Sequence, residues 1–71
     1  LKKPELTERQ QELLDYIIEN VKARGCAPTH REMAEFQGIA LKAVVDRVHA
    51  LEKKGYVRRE PGIARGLKVL Q

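Results

Sequence analysis

Residues 28–55, PTHREMAEFQGIALKAVVDRVHALEKKG, hold two helix starts and two helix stops within one short stretch. Pro28 pushes Ala27 out of helical geometry, and Thr29 with Glu32 three residues later forms a capping box, so the spacing predicts a short helix over 30–37. Gly38 accepts the left-handed conformation that ends a helix and allows a sharp turn. A third helix is expected from about 40 to 54, closed by Gly55. Leu41, Val44, Val48 and Leu51 recur on it at helical spacing and are expected to line its core face, with Val45 at the edge. Lys42, Ala43, Asp46, Arg47, His49, Ala50, Lys53 and Lys54 are then left outside. Ala34 lies four residues before Gly38, and a small side chain there lets the two helices cross closely. Short helix, glycine turn and long polar helix together read as a helix-turn-helix unit.

Working outward, the preceding stretch TERQQELLDYIIENVKARG predicts a helix over 7–24. Thr7 and Gln10 supply its capping box and Gly25 its stop. Leu14, Ile17, Ile18 and Val21 are expected to face the core with Leu13 on the margin. Glu8, Glu12, Asp15 and Glu19 form an acidic stripe opposite, which a phosphate backbone would repel. Residues 1–6 and Gln71 are expected to fray. After Gly55 the apolar period changes from helical to alternating, which predicts strands over 56–59 and 67–70. Val57, Leu67 and Val69 can face the helices, and Pro61-Gly62 suits the centre of a type II turn. A two-stranded hairpin is marginal alone, so this one must lean on the helices.

Seventy-one residues form one domain over 1–71, because so short a chain cannot fill two cores. Apolar residues make up 42% and charged residues 34%, a balance that favours a globule over a disordered tail. No apolar run is long enough to span a bilayer or to act as a secretory signal. A cytoplasmic protein is expected, and the single cysteine, Cys26, fits a reducing compartment. The net charge of +4 is unevenly spread. Residues 1–37 carry six Lys/Arg against seven Asp/Glu, a net of −1, whereas residues 38–71 carry eight against three, a net of +5. A polyanion partner for the second half follows from that asymmetry.

A mainly α chain of three helices plus a small two-stranded β-hairpin has the layout of a winged helix-turn-helix. In that fold the third helix enters the major groove and the hairpin wing reaches the neighbouring backbone. Lys42, Ala43, Asp46 and Arg47 occupy the amino-terminal half of the third helix, where such side chains meet base edges. Arg47 or Lys42 can pair with guanine, Asp46 can accept from cytosine, and Ala43 can touch a thymine methyl. Thr29, His30 and Arg31 open the second helix, whose N–H groups favour a phosphate oxygen, although Thr29 also serves as a cap. Lys53 lies at the far end of the third helix, where Lys53 and Lys54 also suit the helix dipole. Arg58, Arg59 and Arg65 are the wing candidates for phosphates.

Other chemistries find little support. Cys26 and His30 have a Cys-x-x-x-His spacing, but zinc needs four ligands and only His49 remains to join them, so no metal is expected. The sequence has no serine, no paired acids in an evident cleft and no glycine-rich phosphate loop, so neither enzyme nor cofactor is indicated and no small-molecule substrate is implied. Tyr16, Phe36 and Tyr56 are too scattered for a single-strand stacking platform. The rival reading is a winged-helix protein-interaction module that touches no nucleic acid.

The segments LTERQQELLDYI, PTHREMAEFQG, ALEKKGYV and GIARGLKVL together resemble the amino-terminal DNA-binding domain of LexA, the repressor of the bacterial SOS response to DNA damage. The resemblance covers nearly the whole chain. Its most specific parts are Leu6-Thr7 with Arg9-Gln10, the Pro28-Thr29 to Glu32 start, Leu51 with Lys54-Gly55, and Arg65-Gly66-Leu67. It implies a sequence-specific repressor that binds palindromic operators on double-stranded DNA as a dimer, weakly when no further dimerisation domain is attached. The chain departs from the family where the third helix usually starts with Ser-Pro-Asn, because Ala40-Leu41-Lys42 stands there and is one residue shorter. It departs again at Gln37, where the family usually buries a leucine and where Phe36 is expected to fill the space instead. The family's self-cleavage by a serine-lysine pair is not carried over to a chain without serine, which reads as an excised DNA-binding domain or a short stand-alone relative.

Overall fold

A computed structural model describes residues 4–60 and 66–70. Helix α1 spans Glu8–Arg24, α2 His30–Gln37 and α3 Leu41–Lys53, followed by β1, Val57–Arg59, and β2, Leu67–Val69. The ends form for the local reasons the sequence supplies. At α1 the Thr7 Oγ1 accepts from the Gln10 N–H while Gln10 Oε1 accepts from the Thr7 N–H. At α2 Thr29 and Glu32 make the same reciprocal pair. Ala40 caps α3 without any side-chain hydrogen bond. Gly38 (φ 66°) and Gly55 (φ 86°) turn the chain out of α2 and α3 in the left-handed conformation that a Cβ disfavours. Behind each glycine the chain folds back on the helix: Ile39 N–H donates to the Ala34 carbonyl, and Tyr56 N–H to that of Leu51.

The core is one cluster gathered from all three helices and β1. Leu13, Ile17, Met33, Val44, Val48, Leu51 and Val57 are essentially excluded from solvent, with Leu14, Ala27 and Ala34 beside them. Of the helix pairs, α2 and α3 share the most extensive contact, as a helix-turn-helix requires. Ala34 lies buried there, four residues before the turn glycine. The strands pair antiparallel with Val57 opposite Val69, Arg58 opposite Lys68 and Arg59 opposite Leu67. Val57 anchors this ribbon in the core, while Leu67 and Val69 pack on its edge. The hairpin therefore rests on the helices and does not stand alone.

Four expectations need correction. Leu13 is fully buried and not marginal, because α1 is covered from two sides by α2 and α3 and its apolar arc widens accordingly. Leu41 is 49% exposed and not core. It sits in the first turn of α3 and lines a shallow groove with Arg31, Ala34, Glu35, Gly38 and Ile39. Residues 4–6 are tied down: Lys54 Nζ donates to the Glu5 carbonyl at 2.9 Å, and Tyr56 Oη to the Pro4 carbonyl at 2.7 Å. Leu6 packs against the core. Phe36 does not fill the place before the turn glycine. It is 51% exposed and stacks on Tyr16, ring centroids 4.1 Å apart, while Gln37 is half-buried. The proposed Pro61-Gly62 turn lies outside the described residues.

Candidate nucleic-acid interface

Helix α3 divides cleanly by solvent exposure. Val44, Val48 and Leu51 are buried, whereas Lys42, Asp46, His49 and Lys53 are all exposed. The latter follow one another at steps of four, three and four residues, which places them in a single stripe along the helix. Ala43 and Arg47 are half-buried on one flank of the stripe and Val45 on the other. Lys54 belongs to the architecture: its Nζ also donates to Gln10 Oε1 at 2.8 Å, so its charge is used to fasten α3 to the start of α1.

The alternation of the ribbon sends its two described arginines to opposite faces. Arg58 shares a face with its cross-strand partner Lys68 and with Glu60, whose Oε1 lies 3.1 Å from Lys68 Nζ and 3.8 Å from the Arg58 guanidinium. Arg59 shares the other face with Leu67, the face that Val57 anchors in the core. From there Arg59 Nη1 lies 3.4 Å from His49 Nε2. The ribbon and the exposed stripe of α3 thus meet at one point and form one surface. Arg65 lies outside the described residues.

Partner chemistry sorts the arginines further. Arg9 pairs with Glu12 at 3.3 Å, Arg24 with Glu32 at 3.1 Å and Arg58 with Glu60, so each has a carboxylate to offset its charge. Arg24 also joins the end of α1 to the start of α2, and the hydrogen bond and charge of Glu32 raise its pKa further. Arg47 and Arg59 instead touch side chains that carry no negative charge: Arg47 Nη1 donates to Gln37 Oε1 at 2.6 Å, and Arg59 Nη1 lies 3.4 Å from His49 Nε2. A guanidinium held by an uncharged acceptor keeps its full charge for an outside anion. Both such arginines belong to α3 or the ribbon. The exposed face of α1 presents Glu8, Glu12, Asp15 and Glu19, so the two ends of the charge asymmetry occupy different elements.

At the start of α2, Thr29 is committed to its cap through both its hydroxyl and its N–H. His30 beside it is half-buried and Arg31 is exposed, at the border of the groove next to Leu41. Two residues of this surface were missed as site residues in the sequence. His49 could have been found, because it stands three residues after Asp46 on the same helical face. Gln37 gave no local signal, since its partners Arg9 and Arg47 are 28 and 10 residues away. A larger groove of about 690 Å³ is lined by α1 and β2, among them Ile18, Val21, Leu67 and Val69, and does not involve α3. Among the described residues, no three His, Cys, Asp or Glu side chains are grouped to hold a metal ion, and no helix is long and apolar enough to cross a membrane.

Three helices with a glycine turn between the second and third, and an antiparallel ribbon packed against the third, define a winged helix-turn-helix domain. The family model described as LexA DNA binding domain matches residues 3–66, and the chain belongs to that family. It is 48% identical over 66 residues to the LexA repressor of Halalkalibacterium halodurans, covering 92% of this chain and 32% of that protein. It is 49% identical over 65 residues to the LexA repressor of Oleidesulfovibrio alaskensis, covering 92% and 31%. The LexA repressor of Alcanivorax borkumensis is 44% identical over 66 residues, covering 92% and 32%. The chain spans about a third of the length of these relatives.

Proposed function

We propose that this chain is the operator-binding domain of a LexA-like transcriptional repressor of the DNA-damage response in the bacterial cytoplasm, a single unit over residues 1–71 that acts by occupying duplex DNA and not by catalysis. In this reading the exposed stripe of α3 enters the major groove. Lys42 contacts guanine or phosphate, Asp46 accepts from a cytosine amino group and Ala43 touches a thymine methyl. Arg47 takes phosphate from the flank of the stripe and Lys53 from its far end. The ribbon straddles the adjacent backbone through Arg59 and Arg65, with Arg58 in a lesser role. The start of α2 meets phosphate through the N–H groups and side chains of His30 and Arg31, with Thr29 acting as the cap that holds the helix start in place. Two copies would occupy a palindromic operator, held together mainly by the DNA.

The observation that carries this reading is the Arg59–His49 contact, because it puts the cationic ribbon and the exposed side of α3 on one surface. A duplex titrated at several salt concentrations tests it. With roughly five phosphate contacts, log K falls with log salt at a slope near −4 to −5, and non-specific dissociation constants lie around 10⁻⁴ to 10⁻⁶ M. Salt-independent binding, or no binding at low salt, contradicts it and favours a protein-interaction module. Selection from a random duplex pool reports the half-site and whether two copies bind together.

A further inference from the structure

Gln37 ends α2, and both ends of its amide are in use. Its Nε2 donates to the backbone carbonyl of Arg9 in the first turn of α1 at 2.9 Å, and its Oε1 accepts from Arg47 Nη1 at 2.6 Å. One neutral side chain therefore connects three helices. Arg47, whose guanidinium it holds, is a half-buried residue, and a cation withdrawn from water gains from a carboxylate partner. Among the described residues Arg47 has none; Gln37 fixes its geometry without touching its charge. A guanidinium carries five N–H donors, and this bond uses only one Nη group. The rest remain for an outside acceptor.

We infer that Gln37 is a positioning residue for DNA binding: it pre-orients Arg47 on the flank of α3 that faces the start of α1, so that the guanidinium meets a phosphate already ordered. The inference rests on α3 being the duplex-facing helix. An arginine otherwise free in solution loses rotamer freedom when it docks, and ordering it beforehand removes that cost, worth roughly threefold to tenfold in affinity. A glutamate at the same place would be the wrong solution. It would keep an acceptor but neutralise the charge that the phosphate needs.

The test is a double-mutant cycle read by salt-dependent duplex titration, with thermal melts of each free protein recording the fold separately. Arg47→Ala should flatten the dependence of log K on log salt by about 0.9, one phosphate contact. Gln37→Leu should weaken binding about threefold to tenfold with the slope unchanged, and should cost nothing further in the Arg47→Ala background. Gln37→Glu, which keeps an acceptor for Arg47 should the leucine variant fail to fold, should flatten the slope by about the same 0.9 while helix content is retained. The inference is overturned by a Gln37→Leu loss that is equally large with and without Arg47, by a wild-type slope in Arg47→Ala, or by a wild-type slope in Gln37→Glu. Failure of the unmodified chain to bind any duplex is a different result, and refutes the operator-binding reading itself.

Discussion

Replacing Arg59 and Arg58 separately with alanine tests the geometry of the ribbon. The two residues are adjacent and identical, so composition and net charge predict the same effect for both. The structure predicts different ones. Arg59 faces the helices, lies beside His49 with no carboxylate to offset it among the described residues, and keeps its charge at the surface shared with α3. Its loss removes about one phosphate contact, and the slope of log K against log salt falls by about 0.9 in magnitude. Between 50 and 200 mM salt the ratio of wild-type to variant affinity then changes by about 3.5-fold, well within reach of fluorescence anisotropy. Arg58 lies on the opposite face, 3.8 Å from Glu60, where Lys68 is close enough to keep that carboxylate paired once the arginine is gone. Its removal should change the slope by less than half as much. Neither variant should alter the melting temperature appreciably, since exposed ion pairs contribute little to stability. Equal slopes for the two variants, or a larger change from Arg58→Ala, would refute the assignment of faces and with it the shared surface.

Urea unfolding should show Leu13→Ala costing about 2–5 kcal/mol, whereas Leu41→Ala, at a residue 49% exposed, should cost less than about 1.5 kcal/mol; the reverse order would mean that the core of α3 extends to its first turn. Gly38→Ala meets no neighbouring atom within 4 Å, so its cost is backbone strain alone, roughly 1–2 kcal/mol, seen as a melting point lower by about 4–8 °C per kcal/mol with duplex affinity preserved below the transition. Tyr56→Phe removes the hydrogen bond to the Pro4 carbonyl and should destabilise by about 0.5–1.5 kcal/mol while exposing residues 4–6 to faster amide exchange; unchanged exchange there would show that the segment is held by other contacts.

The elements were legible because their signals are local. A capping box spans four residues and reports a helix start wherever the chain goes next, and Thr7 with Gln10 and Thr29 with Glu32 close as the spacing predicts. Glycines at 25, 38 and 55 mark helix ends for a similarly local reason, since their φ lies where a side chain is disfavoured. Periodicity identified Val44, Val48 and Leu51 as the inner face of α3, and by subtraction the outward stripe that begins at Lys42.

Periodicity alone did not decide how wide each inner face would be. Leu13 is covered because α2 and α3 both lean on α1, and Leu41 is uncovered because it precedes the layer they form; neither fact is contained in the spacing of apolar residues along one helix. The same limit applies to charge. The sequence by itself determined that the second half of the chain is cationic and ends in an alternating ribbon. Only the tertiary structure decided which cations are offset by carboxylates and which, like Arg47 and Arg59, touch side chains without negative charge. The physical reason is range: helix caps and turn conformations are settled over a few bonds, whereas burial and ion pairing depend on which residues, tens of positions apart, the packed chain brings within a few ångströms.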